Sequence, residues 1–204
     1  MQQQSIVTLD LEGVLVPEIW IAVAEQTGIE ALTRTTRDEP DYDKLMRLRL
    51  DVLNTEGITL PVISEVIGRL EPLPGAVEFL DELRSRTQVV ILSDTYEEFA
   101  APLMKQLGMP TIFCHRLVIE NDAITGYRLR QPQQKRESVR AFRSLNYFVV
   151  ASGDSFNDSA MLQAANAGIW FRCPPAVQEE FPEFKVTHTY SELKAEIGKI
   201  LEWS

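Results

Sequence analysis

Cysteine and histidine are scarce in this 204-residue chain, which holds only Cys114 and Cys173 and only His115 and His188. Two cysteines without CxxC spacing argue against a disulfide framework or a thiolate zinc site, so the expectation is two reduced, buried thiols. Both histidines stand alone in sequence, which favours surface or structural roles over catalysis. A basic patch is missing as well: 20 Lys and Arg face 30 Asp and Glu, for a formal net charge of −10. That balance disfavours nucleic acid and anionic membrane as partners. No apolar run approaches the ~18 residues of a spanning helix. The MQQQ start carries no basic n-region, so a cytoplasmic location is expected. Repeats and low-complexity segments are also lacking. What remains, 45% hydrophobic and 25% charged residues, is enough for a substantial core in one domain with an insertion or in two small ones.

The stretch SIVTLDLEGVLVPE, residues 5–18, organises the rest. Ile6, Val7 and Leu9 read as a short buried strand, with Asp10 and Glu12 at its C-terminal end before Gly13. Residues two apart in extended chain share a side, so the two carboxylates can face one volume. Taken alone, the stretch reads equally well as a polar turn leaving a strand. Three helical patterns follow: EIWIAVAEQT up to Gly28, residues 42–53, and PVISEVIGRL, which ends before Pro72. With no comparable strand among them, they predict a helical cap over 17–72. The core is expected from 1–16 and 73–204.

From Gly75 onward strands and helices alternate. Helices are expected over 76–86, 96–107 (with a bend or late start at Pro102), 134–145, 156–167, 176–181 and 191–202. Strands are expected at VVILS (89–93), TIFC (111–114), YFVVAS (147–152), IWFRC (169–173) and VTHT (186–189). Residues 116–130 predict a hairpin lying off the main sheet. Such alternation predicts an α/β fold with a doubly wound, Rossmann-like parallel sheet.

Polar groups recur at the ends of these strands. Ser93 and Asp94 close one, Asp154 closes another and leads into Asn157 and Asp158, and Lys135 opens a helix between them. In an open parallel sheet such ends converge on one crevice. Singly, each has a plainer reading: a turn hydroxyl, a solvated lysine, a helix-capping aspartate.

In this order the segments DLEGV, SDT, Lys135 and GDSFND resemble the four motifs of the haloacid dehalogenase superfamily of phosphotransferases. The helical insertion after the first motif resembles the cap of its phosphoserine phosphatases. LDLEGVLVPEIW and VVILSDT are similar to the subgroup of phosphoserine phosphatases that also transfer phosphate to homoserine, and the likeness runs over essentially the whole chain. Glu12 stands where most of the superfamily has a second aspartate. The resemblance implies Asp10 as nucleophile, Glu12 as general acid and base, and Lys135 as charge partner. It implies Ser93, Asp94, Asn157 and Lys135 around the phosphate, and Mg2+ held by Asp10, Asp154, the backbone carbonyl of Glu12 and Asp158 through a water. Arg49 lies within the apolar stripe of helix 42–53 (Tyr42, Leu45, Met46, Val52, Leu53), whereas Arg47 points away. A buried structural ion pair would explain Arg49; the resemblance makes it the ligand of the substrate carboxylate, with Glu18 on the amino group. Small phosphomonoesters, O-phosphoserine first, are the expected substrates, with homoserine as an acceptor beside water. A phosphatase for another small phosphomonoester, a metal-free dehalogenase and a catalytically silent phosphate binder stay open as alternatives.

Overall fold

The computed structural model describes residues 3–35, 38–39 and 41–203. Among these residues seven strands form one sheet: β1 (Ser5–Leu9), β2 (Gln88–Tyr96), β3 (Thr111–Glu120), β4 (Ala123–Arg128), β5 (Phe148–Gly153), β6 (Ala167–Phe171) and β7 (Lys185–Thr187). Their order is β4-β3-β2-β1-β5-β6-β7, parallel except for β4. The central strands are apolar runs because both faces are covered. Alternate residues go to opposite layers: Val7, Leu9, Ile91, Val150 and Phe171 into one core cluster, and Ile6, Val90, Leu92, Val149, Ala151 and Trp170 into the other.

Three helices supply the second layer: α6 (Gln134–Ser144), α7 (Ser159–Ala164) and α8 (Pro175–Glu180), through Val139, Met161, Leu162 and Val177. The first layer takes α4 (Ala76–Arg84), α5 (Glu97–Gln106) and α9 (Tyr190–Ile200), through Phe79, Phe99 and Leu193. To it are added α1 (Ile19–Thr27), α2 (Tyr42–Thr55) and α3 (Leu60–Gly68) from the stretch between β1 and α4. Helix α3 packs on α1 and α5, and α2 packs on β4. None of the helices in the described residues is long and apolar enough to cross a membrane. Cys114 and Cys173 are free and buried.

Some elements depart from the sequence reading. The hairpin grows out of β3: Thr111–His115 pair with β2 in the main sheet, and Arg116–Glu120 run on past it and pair antiparallel with β4 alone. Helix α5 starts at Glu97, ahead of Pro102, which sits inside it. The expected helix 156–167 opens as a 3-10 turn over Phe156–Asp158 and closes early, at Ala164. A further 3-10 turn, Glu30–Thr33, follows α1.

Because β1 sends the chain to β2 on one side and pairs with β5 on the other, the winding direction reverses at its C-terminal end. A crevice opens at such a switch point. The registers Leu9↔Ile91 and Leu9↔Ser152 bring the ends of β1, β2 and β5 level there.

Candidate active site

A cleft of about 340 Å3 occupies this crevice and is lined by Asp10, Glu12, Glu18, Arg49, Ser93, Asp94, Lys135, Asp154 and Asn157. Asp158, fully buried, lies behind it. Ten residues named from sequence are thus gathered at one place from the loop after β1, the N-cap of α1, α2, β2, α6 and the segment after β5.

Asp10 and Lys135 form the floor, 4% exposed each. Asp10 Oδ1 accepts the backbone N–H of Leu11 at 2.8 Å and lies 3.0 Å from Lys135 Nζ. The ammonium is also 2.8 Å from Asp158 Oδ1 and 3.6 Å from Asp94 Oδ2. Lys135 is therefore no solvated surface lysine. Burial alone would lower its pKa, but Asp10, Asp158 and Asp94 together hold it well above the usual value.

Two glycines make the acidic cluster possible. A Cβ on Gly13, whose φ is +73°, would come within 2.5 Å of Asp154 Oδ2. A Cβ on Gly153 would meet Asp158 Cγ at 2.3 Å. Asp158 Oδ2 accepts the backbone N–H groups of Asp154 and Ser155 at 3.0 and 3.2 Å, locking the turn that carries Asp154.

Carboxylate oxygens of Asp10, Asp154 and Asp158 lie within 4.8 Å of one another. An all-oxygen set of this kind fits a hard divalent cation. The electrostatics agree: burial first, then Asp158, push the Asp10 carboxyl well above the usual range despite Lys135. One ammonium does not balance the cluster. The Glu12 carboxylate is outside that cluster. Glu12 Oε2 instead accepts the Ile19 N–H at 2.9 Å, and burial followed by the charge of Glu18 raises its pKa to about 7.

Arg49, which also lines the cleft, is 6% exposed. One guanidinium nitrogen donates to the Arg34 carbonyl at 2.8 Å, and the group stacks 4.4 Å above the Trp20 ring. No carboxylate among the described residues comes within ion-pairing distance, and Nε is buried without a partner. The structural ion pair that could have explained an arginine in an apolar stripe is not found there.

Asp94 sits at the mouth. Burial would raise its pKa, yet Lys135, His115 and Gln134 together pull it below the usual carboxylate range. Tyr42 donates to the Asp94 carbonyl at 3.1 Å, and Gln134 Nε2 donates to the Ser93 carbonyl at 2.8 Å. Gln134 escaped the sequence reading, and His115 was expected only in a surface or structural role. His115 is 3% exposed behind Asp94, a placement set by strand pairing that local pattern does not reveal.

Residues 5–166 match the haloacid dehalogenase-like hydrolase family. The phosphoserine phosphatase ThrH of Pseudomonas aeruginosa is 60% identical over 195 residues, 95% of each chain. A phosphoserine phosphatase of Pseudomonas syringae pv. tomato is 59% identical over 195 residues, 95% of this chain and 82% of that one. A solved substrate-bound phosphoserine phosphatase complex aligns with a TM-score of 0.79 at 19% identity, over 98% of this chain and 99% of that one. A phospho-aspartyl intermediate analogue of phosphoserine phosphatase gives 0.75 at 21% identity, over 90% and 92%. At those identities the structural likeness speaks for the fold. Together with the two Pseudomonas sequences and the matched motif segments, it leaves one assignment: the chain belongs to the haloacid dehalogenase-like hydrolase family.

Proposed function

We propose that this enzyme is a magnesium-dependent phosphoserine phosphatase working through a phosphorylated Asp10, and that it also passes the phosphoryl group to homoserine. The observation that carries the reading is Arg49, buried, without an acidic partner among the described residues and with a free Nε, lining the same cleft as Asp10 and Lys135. A phosphomonoester with a carboxylate completes both sides of this cleft. Two close relatives named as phosphoserine phosphatases support the same substrate.

Like charges 4 Å apart repel by about 4 kcal/mol at an effective dielectric near 20, so an anionic ester needs help to approach Asp10. Mg2+, held by Asp10, Asp154 and the Glu12 carbonyl with Asp158 behind, would supply part of the neutralising charge. Lys135 supplies another part and keeps Asp10 Oδ1 in place at 3.0 Å. The Ser93 hydroxyl donates to the phosphoryl oxygens. Asp10 then attacks phosphorus, the bond to the serine oxygen breaks, and Glu12 gives its proton to that oxygen. With a pKa near 7, Glu12 is suited to both directions of transfer. It next takes a proton from water, or from the hydroxyl of homoserine, as that oxygen attacks the aspartyl-phosphate.

Arg49 holds the substrate carboxylate by a bidentate contact, and Glu18 takes the ammonium. Residues 17–72 act as the cap that closes over the bound amino acid, with 1–16 and 73–204 as the catalytic core. Release of inorganic phosphate from O-phosphoserine with Mg2+, with and without homoserine, tests the proposal. Absence of turnover with either acceptor would leave a phosphate-binding protein.

A further inference from the structure

His115 takes no part in the chemistry above, yet its surroundings are built. Strand β2 uses three residues, Ser93–Thr95, where β3 uses one, Cys114, so that Leu92 pairs with Phe113 and Tyr96 with His115. The bulge turns Asp94 toward the imidazole. The backbone N–H of Arg130 donates to His115 Nδ1 at 3.1 Å, which leaves the proton on Nε2. Nε2 faces Asp94 Oδ1 at 3.5 Å, and the rings of Tyr42 and Tyr96 pack against the imidazole.

The other carboxylate oxygen, Asp94 Oδ2, faces Lys135 Nζ at 3.6 Å and Asn157 Nδ2 at 3.4 Å. Of the three carboxylates paired with Lys135, Asp94 alone is outside the acidic cluster and is held at longer range than Asp10 and Asp158. Gln134 Nε2 donates to Asp94 Oδ1 at 3.3 Å, so the imidazole shares the hold; with the imidazole gone, the amide alone restrains Asp94 from swinging toward the ammonium and drawing Nζ off Asp10.

We propose that His115 is a positioning residue that, by holding Asp94 back, sets the Lys135 ammonium against Asp10. This rests on the reading of Asp10 as nucleophile and Lys135 as its charge partner. The device acts at the phosphoryl end of the cleft, so its loss lowers kcat alike for every phosphomonoester and leaves recognition of the amino acid untouched.

The test measures kcat and KM for His115→Phe and His115→Gln, each in wild-type and Asp94→Asn backgrounds, on O-phosphoserine and p-nitrophenyl phosphate with Mg2+, alongside thermal midpoints. His115→Phe is expected to lower kcat about tenfold on both substrates, with KM within about twofold. His115→Gln, whose amide can reach Asp94, recovers most of the loss. In the Asp94→Asn background His115→Phe costs nothing further. The same loss in that background, or a loss that follows the thermal midpoint and ignores the amide, overturns the proposal. Should His115→Phe not fold, His115→Gln is compared with His115→Asn, whose shorter amide falls short of Asp94. A rate retained only by the longer side chain supports the proposal, and equal rates contradict it. Wild-type turnover of p-nitrophenyl phosphate without turnover of phosphoserine rejects the substrate reading and leaves this comparison intact.

Discussion

Glu12 Oε2 accepts the backbone N–H of Ile19 at 2.9 Å, so the side chain proposed to move the proton is tied to the first turn of α1. In the proposed closure the segment entering α1 would carry the acid–base group with it. Closing over a substrate would place both at once.

A stability signature follows from the same carboxyl. Its pKa of about 7 in the folded chain exceeds the ordinary 4.5, with burial the main cause and Glu18 the next. Between those values the folded state keeps a proton that the unfolded state has released. The stability this carboxyl contributes is thus fully present below 4.5 and is lost as pH rises through about 7. In metal-free protein the thermal midpoint falls from pH 5 to pH 8. Asp10, raised in the same direction, contributes to the slope. Glu12→Gln makes the fall shallower; a slope as steep as that of the wild type contradicts the assignment.

Arg49→Ala removes the guanidinium proposed to bind the substrate carboxylate. Two charged hydrogen bonds lost raise KM for phosphoserine on the order of 10- to 100-fold. KM for p-nitrophenyl phosphate, which has no carboxylate, changes little. Equal effects on both substrates would make Arg49 structural.

Gly13→Ala drives a methyl group into Asp154 and strains a backbone at φ +73°. The Mg2+ concentration for half-maximal activity rises by roughly 10-fold or more, as for disturbed supporting groups of metal sites. An unchanged Mg2+ requirement would move the cation away from Asp154.

The sheet was legible because buried parallel strands are continuous apolar runs, closed here by the turn at Gly13 and by Gly153. Arg49 was legible too, since a charge inside an apolar helical stripe shows in local periodicity. What escaped depends on pairings that no local pattern encodes. That the hairpin grows out of β3 is hidden because nothing within residues 116–130 shows that β3 runs straight into it. His115 reaches Asp94 only through the β2–β3 bulge. The tether from Glu12 to Ile19 needs the Gly13 turn to fold back, with Gly13 N–H donating to the Val16 carbonyl at 2.9 Å. The helix expected over 156–167 was overdrawn because Asp158 spends its carboxylate on the preceding turn and on Lys135.

The most direct measurement is to quench the enzyme during turnover of phosphate-labelled O-phosphoserine and locate the label by peptide mapping. The account predicts acid-stable, hydroxylamine-sensitive phosphate on the peptide carrying Asp10, absent from Asp10→Asn, which folds normally but no longer releases phosphate. Steady turnover with no protein-bound phosphate, or label on any other residue, would contradict it.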